Sequence, residues 1–330
     1  FPQAYPFYKT PSIEDIPLLL PEGVDRAHYL AYKGMAAAAH ALGDQAKLDE
    51  AREWFARIDE DARAERIAGD QQPLDPSNAA VQKVPGRCSH GSKMLGMGAA
   101  ALLLECTGDP SYRDVGLAYL DSVLSRHVNT DGRVAEVQPH DMWEFVDADG
   151  QPWVEPDGVR LSDPGHGTET VGFALKFLLA CQRAGGDAAV EPDRLAGYYS
   201  ALLPMLEQNF ANGFAPSGFG IVKAYDLAAR KPLRTDMPWW SLPETLRAAM
   251  GACLVGDPAD RTRYVEIAAK CSNAFFGKFI RPDLHLMAYQ TIGADGEVIA
   301  TIPATPDADP GYHTGLSIID YLDWMSELTN

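Results

Sequence analysis

A loose repeat of helix hairpins constrains this chain more than any other feature. Four times an Ala-rich apolar stretch runs into a short Gly-containing turn and then into a more polar amphipathic stretch. The first pair is His28–Leu42 and Gln45–Ile58, joined by Gly43-Asp44; the second is Ser92–Cys106 and Ser111–His127, joined through Gly108-Asp109. The third is Glu169–Gln182 and Pro192–Gln208, and the fourth is Glu244–Val255 and Ala259–Phe276, again with Gly and Asp between them. A ninth helical stretch, His313–Leu328, closes the chain. Apolar residues recur at helical spacing in each. Gly ends one helix in a left-handed conformation, and Asp or Ser caps the next. A single hairpin cannot bury its apolar face alone, so such units stack. An Ala-rich helix inside and an amphipathic helix outside is what a ring of hairpins requires.

The expected fold is therefore all-α, an incomplete (α/α) barrel. Its inner helices are expected near residues 28–42, 90–106, 167–183, 241–255 and 312–327. Residues 1–27 read as an extended arm, with a tenth helix possible in Ser12–Leu20, and 28–330 as one catalytic domain. The connections Asn129–Val137, Asp147–Gly158, Ala211–Asp226 and Met287–Ala300 carry Gly and β-branched or aromatic residues, three of them around Asp-Gly, and read as short β-hairpins. Each leads from an outer helix to the next inner one, so all gather at one end of the ring, where function is expected.

A formal charge of −18 argues against non-specific nucleic-acid binding, which needs cations to neutralise phosphates. No apolar run is long enough to span a bilayer. The Pro-rich opening FPQAYPFYKTPS reads either as the start of a mature secreted or periplasmic protein or as a trimmed chain, which leaves a cytoplasmic protein as the alternative. Five scattered cysteines show no CxxC spacing, and no paired-His spacing points to zinc, so neither metal nor cofactor is expected.

The segments opening the inner helices resemble the N-acylglucosamine 2-epimerase and cellobiose 2-epimerase superfamily. Asp163–Thr170 (DPGHGTET) is similar to its PGHxxE motif, and Pro238–Ala249 (PWWSLPETLRAA) to its WWPQAEALRA segment. Gly311–Ser317 (GYHTGLS) is similar to FHTPR, and the stretch around His90 is a weaker counterpart of NPHMHxxE. Gly315-Leu316 replaces the Pro-Arg of that pattern, so a sugar-clamping Arg is absent; Ser92 and Leu95 replace a His and a Glu. The resemblance implies an (α/α) barrel in which His166 and His313 are catalytic, Tyr312 being a further candidate. A neutral imidazole with a pKa of ~6.5 suits proton transfer near neutrality.

Around these, Glu169 either orients the His166 ring, binds a sugar hydroxyl or caps the helix. Trp239 and Trp240 stack on a pyranose or belong to the core, and Glu244 is placed to bond sugar hydroxyls. Arg87, His90 and Lys93 form a basic cluster that either neutralises a substrate carboxylate or is a solvated patch. Lys223, Tyr225 and Arg234 flank a loop over the cleft. His28, His40, His127, His140 and His285 read as structural.

Two chemistries share a first step with this residue set. An epimerase removes and returns the proton beside a sugar carbonyl. A polysaccharide lyase removes the proton beside a uronate carboxylate and then expels the 4-linked sugar. The secreted look, the missing clamp Arg and the shortened ring tip the expectation toward a lyase on a glucuronan- or alginate-type polymer. The picture is similar in architecture to polysaccharide lyase family 38. A sugar 2-epimerase is the alternative, with a glycoside hydrolase or a non-catalytic glycan-binding protein behind it. An oligo- or polysaccharide is the expected partner.

Overall fold

Two amphipathic faces meeting across a two-residue turn form the first hairpin, α1 (Arg26–Leu42) and α2 (Gln45–Arg63). Gly43 adopts φ 69°, a conformation that disfavours a side chain, and Asp44 accepts a hydrogen bond from the Lys47 amide at 3.1 Å. Leu48, Ala51, Phe55, Ile58 and Ala62 are the buried stripe of α2, and Tyr32 of α1 stacks on Trp54 with ring centroids 5.0 Å apart. The computed structural model describes residues 26–67, 84–280, 288–299 and 311–329. The chain forms two compact units, residues 1–69 and 70–330. The expected arm lies almost wholly outside the described residues, and Ser12–Leu20 entirely so.

The second unit begins with β1 (Cys88–Ser89) and α3 (Gly91–Thr107), followed by the outer helix α4 (Ser111–His127) and β2 (Phe145–Val146). Next come β3 (Leu161–Ser162), α5 (Pro164–Ala184) and its outer partner α6 (Pro192–Gly213). After them follow β4 (Ala224–Asp226), β5 (Lys231–Arg234), β6 (Met237–Pro238), α7 (Ser241–Val255) and α8 (Arg261–Ala274). The unit ends with β7 (Thr291–Ile292), a π-helical turn at Gly311–Leu316 and α9 (Ser317–Thr329). Helices α3, α5, α7 and α9 pack side by side in that order, with α4, α6 and α8 behind the first three. This is the (α/α) architecture that the repeat implies. Helices α3, α5 and α7 are buried nearly all round, whereas α8 buries only a stripe of Tyr264, Ile267, Ala268, Cys271 and Ala274. At Gly96 and Gly116 there is no room for a Cβ, because the rings of Tyr119 and Phe177 fill the space and let inner and outer helices approach closely.

Inner-helix positions agree with the repeat to within a few residues. Helix α5 starts three residues early, because Asp163 caps it and Pro164 occupies its first turn, where a missing N–H costs nothing. The strands depart from the expected local hairpins. The Asp-Gly turns close only single bridges, Val146↔Pro152 and Ile292↔Val298. Three ladders instead tie one connection to the next, Cys88↔Val146, Leu161↔Asp226 and Met237↔Ile292, and β4 pairs with β5 as a local hairpin beyond the expected span, all antiparallel. Strands β1, β3 and β6 each run straight into an inner helix, so these ladders hold the helix openings at one level. Among the described residues no helix is long and apolar enough to cross a membrane.

Candidate functional site

Parallel inner helices place their N-termini at one end, and each opens with polar residues. His90 precedes α3, Asp163 caps α5, Trp240 precedes α7, and His313 lies in the turn before α9. Helix N-termini carry partial positive charge and unpaired amides, which favour carboxylates.

The first group centres on Glu144, in the connection between α4 and α5. Its Oε1 accepts from His166 Nδ1 at 3.0 Å, from His90 Nε2 at 3.2 Å and from the Asp163 amide at 3.3 Å. Burial alone would raise the Glu144 pKa, but the charges and hydrogen bonds of His166 and His90 hold it well below the ordinary 4.5. Burial likewise opposes the charged form of His166, yet Asp163 and Glu144 outweigh it and raise its pKa above 6.5. Asp163 bonds Lys223 Nζ at 2.7 Å through one oxygen and the Gly165 amide through the other. Behind His90 lies His127, edge-on at 5.6 Å and donating from Nδ1 to the Trp143 carbonyl. Burial, then the cationic forms of His90 and Lys93, keep the His127 pKa well below 6.5.

The second group centres on Glu244. His313 donates from Nδ1 to its Oε1 at 3.0 Å, and Arg247 pairs with its Oε2. Glu169 brings Oε1 to 3.7 Å from the same His313 nitrogen, while that oxygen has no hydrogen-bond partner and is fully buried. Burial and then repulsion from Glu244 push the Glu169 pKa up to about 7. Glu244 lies below 4.5: burial acts to raise it, but Arg247 and His313 more than compensate. Trp240 joins the groups, its ring 5.1 Å from that of His166 at 28° and 5.5 Å from that of His313 at 37°.

Two equivalent devices result: an imidazole anchored through Nδ1 on a buried carboxylate, with the ring partly open to solvent. The side chains of His166 and His313 are 15% and 14% exposed. Such anchoring fixes the tautomer and presents Nε2 for proton transfer. Donor atoms of His90, Glu144 and His166, and those of Glu169, Glu244 and His313, each lie within 4.8 Å of one another. These are the sets whose spacing could hold a cation. In the first, Glu144 is already occupied by two imidazoles and an amide; in the second, Arg247 already neutralises Glu244.

The structure brings together His90, His166, Glu169, Trp240, Glu244 and His313. The side chain of Tyr312 lies outside the described residues. Trp239 is fully buried and donates from Nε1 to Thr314, and Trp240 is 2% exposed. Neither offers the open face that stacking on a pyranose needs, and Glu169 and Glu244 are likewise sealed from solvent. Arg87 turns instead to Glu155 and the Phe145 ring. Lys93 is buried in the first turn of α3. Tyr225 sits in a buried cluster with Cys88, Val134, Val137, Trp143, Val146 and Leu227, and Arg234 pairs with Asp236. Sequence reasoning passed over Glu144, Asp163 and Arg247. The signal for Glu144 is a lone carboxylate inside the apolar run Met142–Val146.

The N-acylglucosamine 2-epimerase (GlcNAc 2-epimerase) family matches residues 24–314. No curated protein matches the chain. Among solved structures, a sugar epimerase from a ruminal bacterium superposes with a TM-score of 0.67 at 14% identity, covering 90% of this chain and 70% of that one. Cellobiose 2-epimerase from Bacillus thermoamylovorans gives 0.65 at 11% identity, with 90% and 70% covered. A polysaccharide lyase gives 0.53 at 12%, with 91% and 73% covered. At these identities the superpositions speak to the fold. The family match spans most of the sequence, and the chain belongs to the N-acylglucosamine 2-epimerase family of (α/α)-barrel carbohydrate-active proteins.

Proposed function

We propose that this protein is a sugar 2-epimerase or aldose–ketose isomerase that moves the proton at C2 of a reducing sugar with His166 and His313. The observation that carries this reading is the pairing: each imidazole holds a buried carboxylate at 3.0 Å through Nδ1, and both pack on Trp240. Epimerisation needs one group to take the proton from one face of the carbon and another to return it on the opposite face. Each group must serve as base in one direction and acid in the other. Two similarly anchored imidazoles meet that demand. The raised pKa of His166 suits the donor role, and Glu144 balances the charge that this ring carries when protonated. The family match supports the same reading.

β-Elimination on a uronate polymer, the reading the sequence favours, draws less support. It needs a cation for the uronate carboxylate, and Lys223, which lies over the Trp240 ring at 5.0 Å, is engaged by Asp163. The test is incubation in D2O with glucose, mannose, cellobiose and N-acetylglucosamine, with loss of the C2 proton signal followed by NMR. Glucuronan, alginate and pectate are run beside them and watched for the ultraviolet absorbance of an unsaturated product. C2 exchange in a free aldose is expected. An unsaturated product without exchange would overturn the reading in favour of the lyase.

A further inference from the structure

Beyond the histidines the inner helices carry a second set of charges. On α5, His166, Glu169, Phe173 and Lys176 lie on one face at helical spacing; on α7 Glu244 and Arg247 do the same, and in the last segment His313, Ser317 and Asp320. Arg247 is 2% exposed and lies over the Phe173 ring at 4.1 Å. It pairs with Glu244 on one side and approaches Asp320 at 3.7 Å on the other. Lys176 closes the file, bonding both Asp320 oxygens at 2.7 and 2.9 Å. Charges thus alternate along the helices away from the imidazole: His313, Glu244, Arg247, Asp320, Lys176.

A buried guanidinium flanked by two carboxylates divides its field between them, and in a low-dielectric interior that division is felt strongly. We propose that Asp320 and Lys176 are positioning residues that set the proton affinity of the His313–Glu244 pair through Arg247. This rests on the proton-transfer reading of His313. Asp320 draws part of the Arg247 charge away from Glu244, and Lys176 limits how much. The groups facing Glu244 are Arg247 on its own helix, Glu169 from α5 and His313 before α9. At the far end Glu105 of α3 is coupled electrostatically to Lys176 and Asp320, and Arg183 of α5 acts on Glu105 and pairs with Glu327.

The test is a pair of single variants with opposite expected signs. Asp320→Asn removes a negative charge, so His313 holds its proton less tightly and its midpoint falls. Lys176→Met removes a positive charge, so the midpoint rises. Each shift should correspond to roughly a threefold or larger change in proton affinity. The readout is the His313 imidazole resonance in an NMR titration, assigned by its loss in His313→Gln, together with the pH profile of C2 exchange. Asp320→Glu keeps the charge and should hold the wild-type midpoint, and the double variant should return close to it. Shifts of the same sign, or none, in variants that melt cooperatively would overturn the proposal. If Asp320→Asn fails to fold, the sign for Lys176→Met decides. Because the resonance titrates without substrate, absence of C2 exchange would sink the proposed function and still leave this inference tested.

Discussion

The ring of Trp240 stands 5.1 Å from that of His166, their planes only 28° apart. With Glu144 on Nδ1, this contact leaves the imidazole little freedom to rotate. Trp240→Ala should lower the rate of C2 exchange by about 10²-fold and, by opening a large cavity, destabilise the fold by roughly 3–5 kcal/mol. Trp240→Phe, which keeps a ring at the contact, should lose far less of both. Exchange kinetics and denaturant melts check this; equal losses in the two variants would show that the ring contact does not matter.

Glu144→Gln should leave His166 with a weaker anchor and a lower pKa. The rate should fall by roughly 10²–10⁴-fold, the range for impaired acid–base transfer. In the wild type, Glu144 is depressed below 4.5 and His166 raised above 6.5. The carboxylate's contribution to stability is present above 4.5 and lost as pH falls through its folded value. The histidine's is full below 6.5 and lost as pH rises through its own. The stability difference between wild type and Glu144→Gln should therefore peak between these two values, as thermal melts across pH will show.

Glu169 has the opposite sign. Its pKa is raised to about 7, so the folded state binds more protons than the unfolded one between 4.5 and that value, and stability declines with rising pH across the interval. Glu169→Gln abolishes the penalty. The variant should gain stability relative to wild type on going from pH 4.5 to pH 8, by up to about 3 kcal/mol. A pH-independent difference would contradict the assignment.

Arg247→Met should destabilise by roughly 3–5 kcal/mol near neutral pH, as denaturant melts will show, because it leaves the fully buried Glu244 without its cation, while Asp320 keeps Lys176. Much of that loss should be recovered at low pH, where the carboxylates become neutral.

Gly116→Ala tests packing away from the chemistry. The added methyl meets the Phe177 ring at less than a normal carbon–carbon contact. A loss of roughly 1–3 kcal/mol is expected, with the exchange rate per folded molecule unchanged.

The helices were legible in the sequence because their signals are local: apolar spacing, Gly stops and Asp caps. His166, Glu169, Glu244 and His313 were legible because each opens an inner helix within a family-like segment. Glu144 was not, since its place depends on the pairing of β1 with β2, and Cys88 and Val146 are far apart in the chain. The pairing of Arg87 with Glu155 and the burial of Tyr225 in the cluster around Trp143 were not legible either, and for Tyr225 of β4 the reason is related. Nearness to a motif says nothing about which side of a two- or three-residue strand a residue faces, and alternate residues of a strand face opposite ways. Lys176 and Asp320 did carry a signal, as single charges within the apolar runs ALKFLLA and SIIDYL.

The file of side chains running from His313 to Lys176 makes the inner helices intolerant of changes in length. A helix turns about 100° per residue. One residue inserted after Gly172 would keep His166 and Glu169 in place and swing Lys176 away from Asp320. One inserted after Ser317 would likewise separate Asp320 from the His313 end. The turns at Gly43-Asp44 and Gly108-Asp109 lie outside this file, and lengthening a surface loop has only a small entropic penalty. Length variation among homologues of this chain should therefore collect in the hairpin turns and avoid the interiors of α5, α7 and α9.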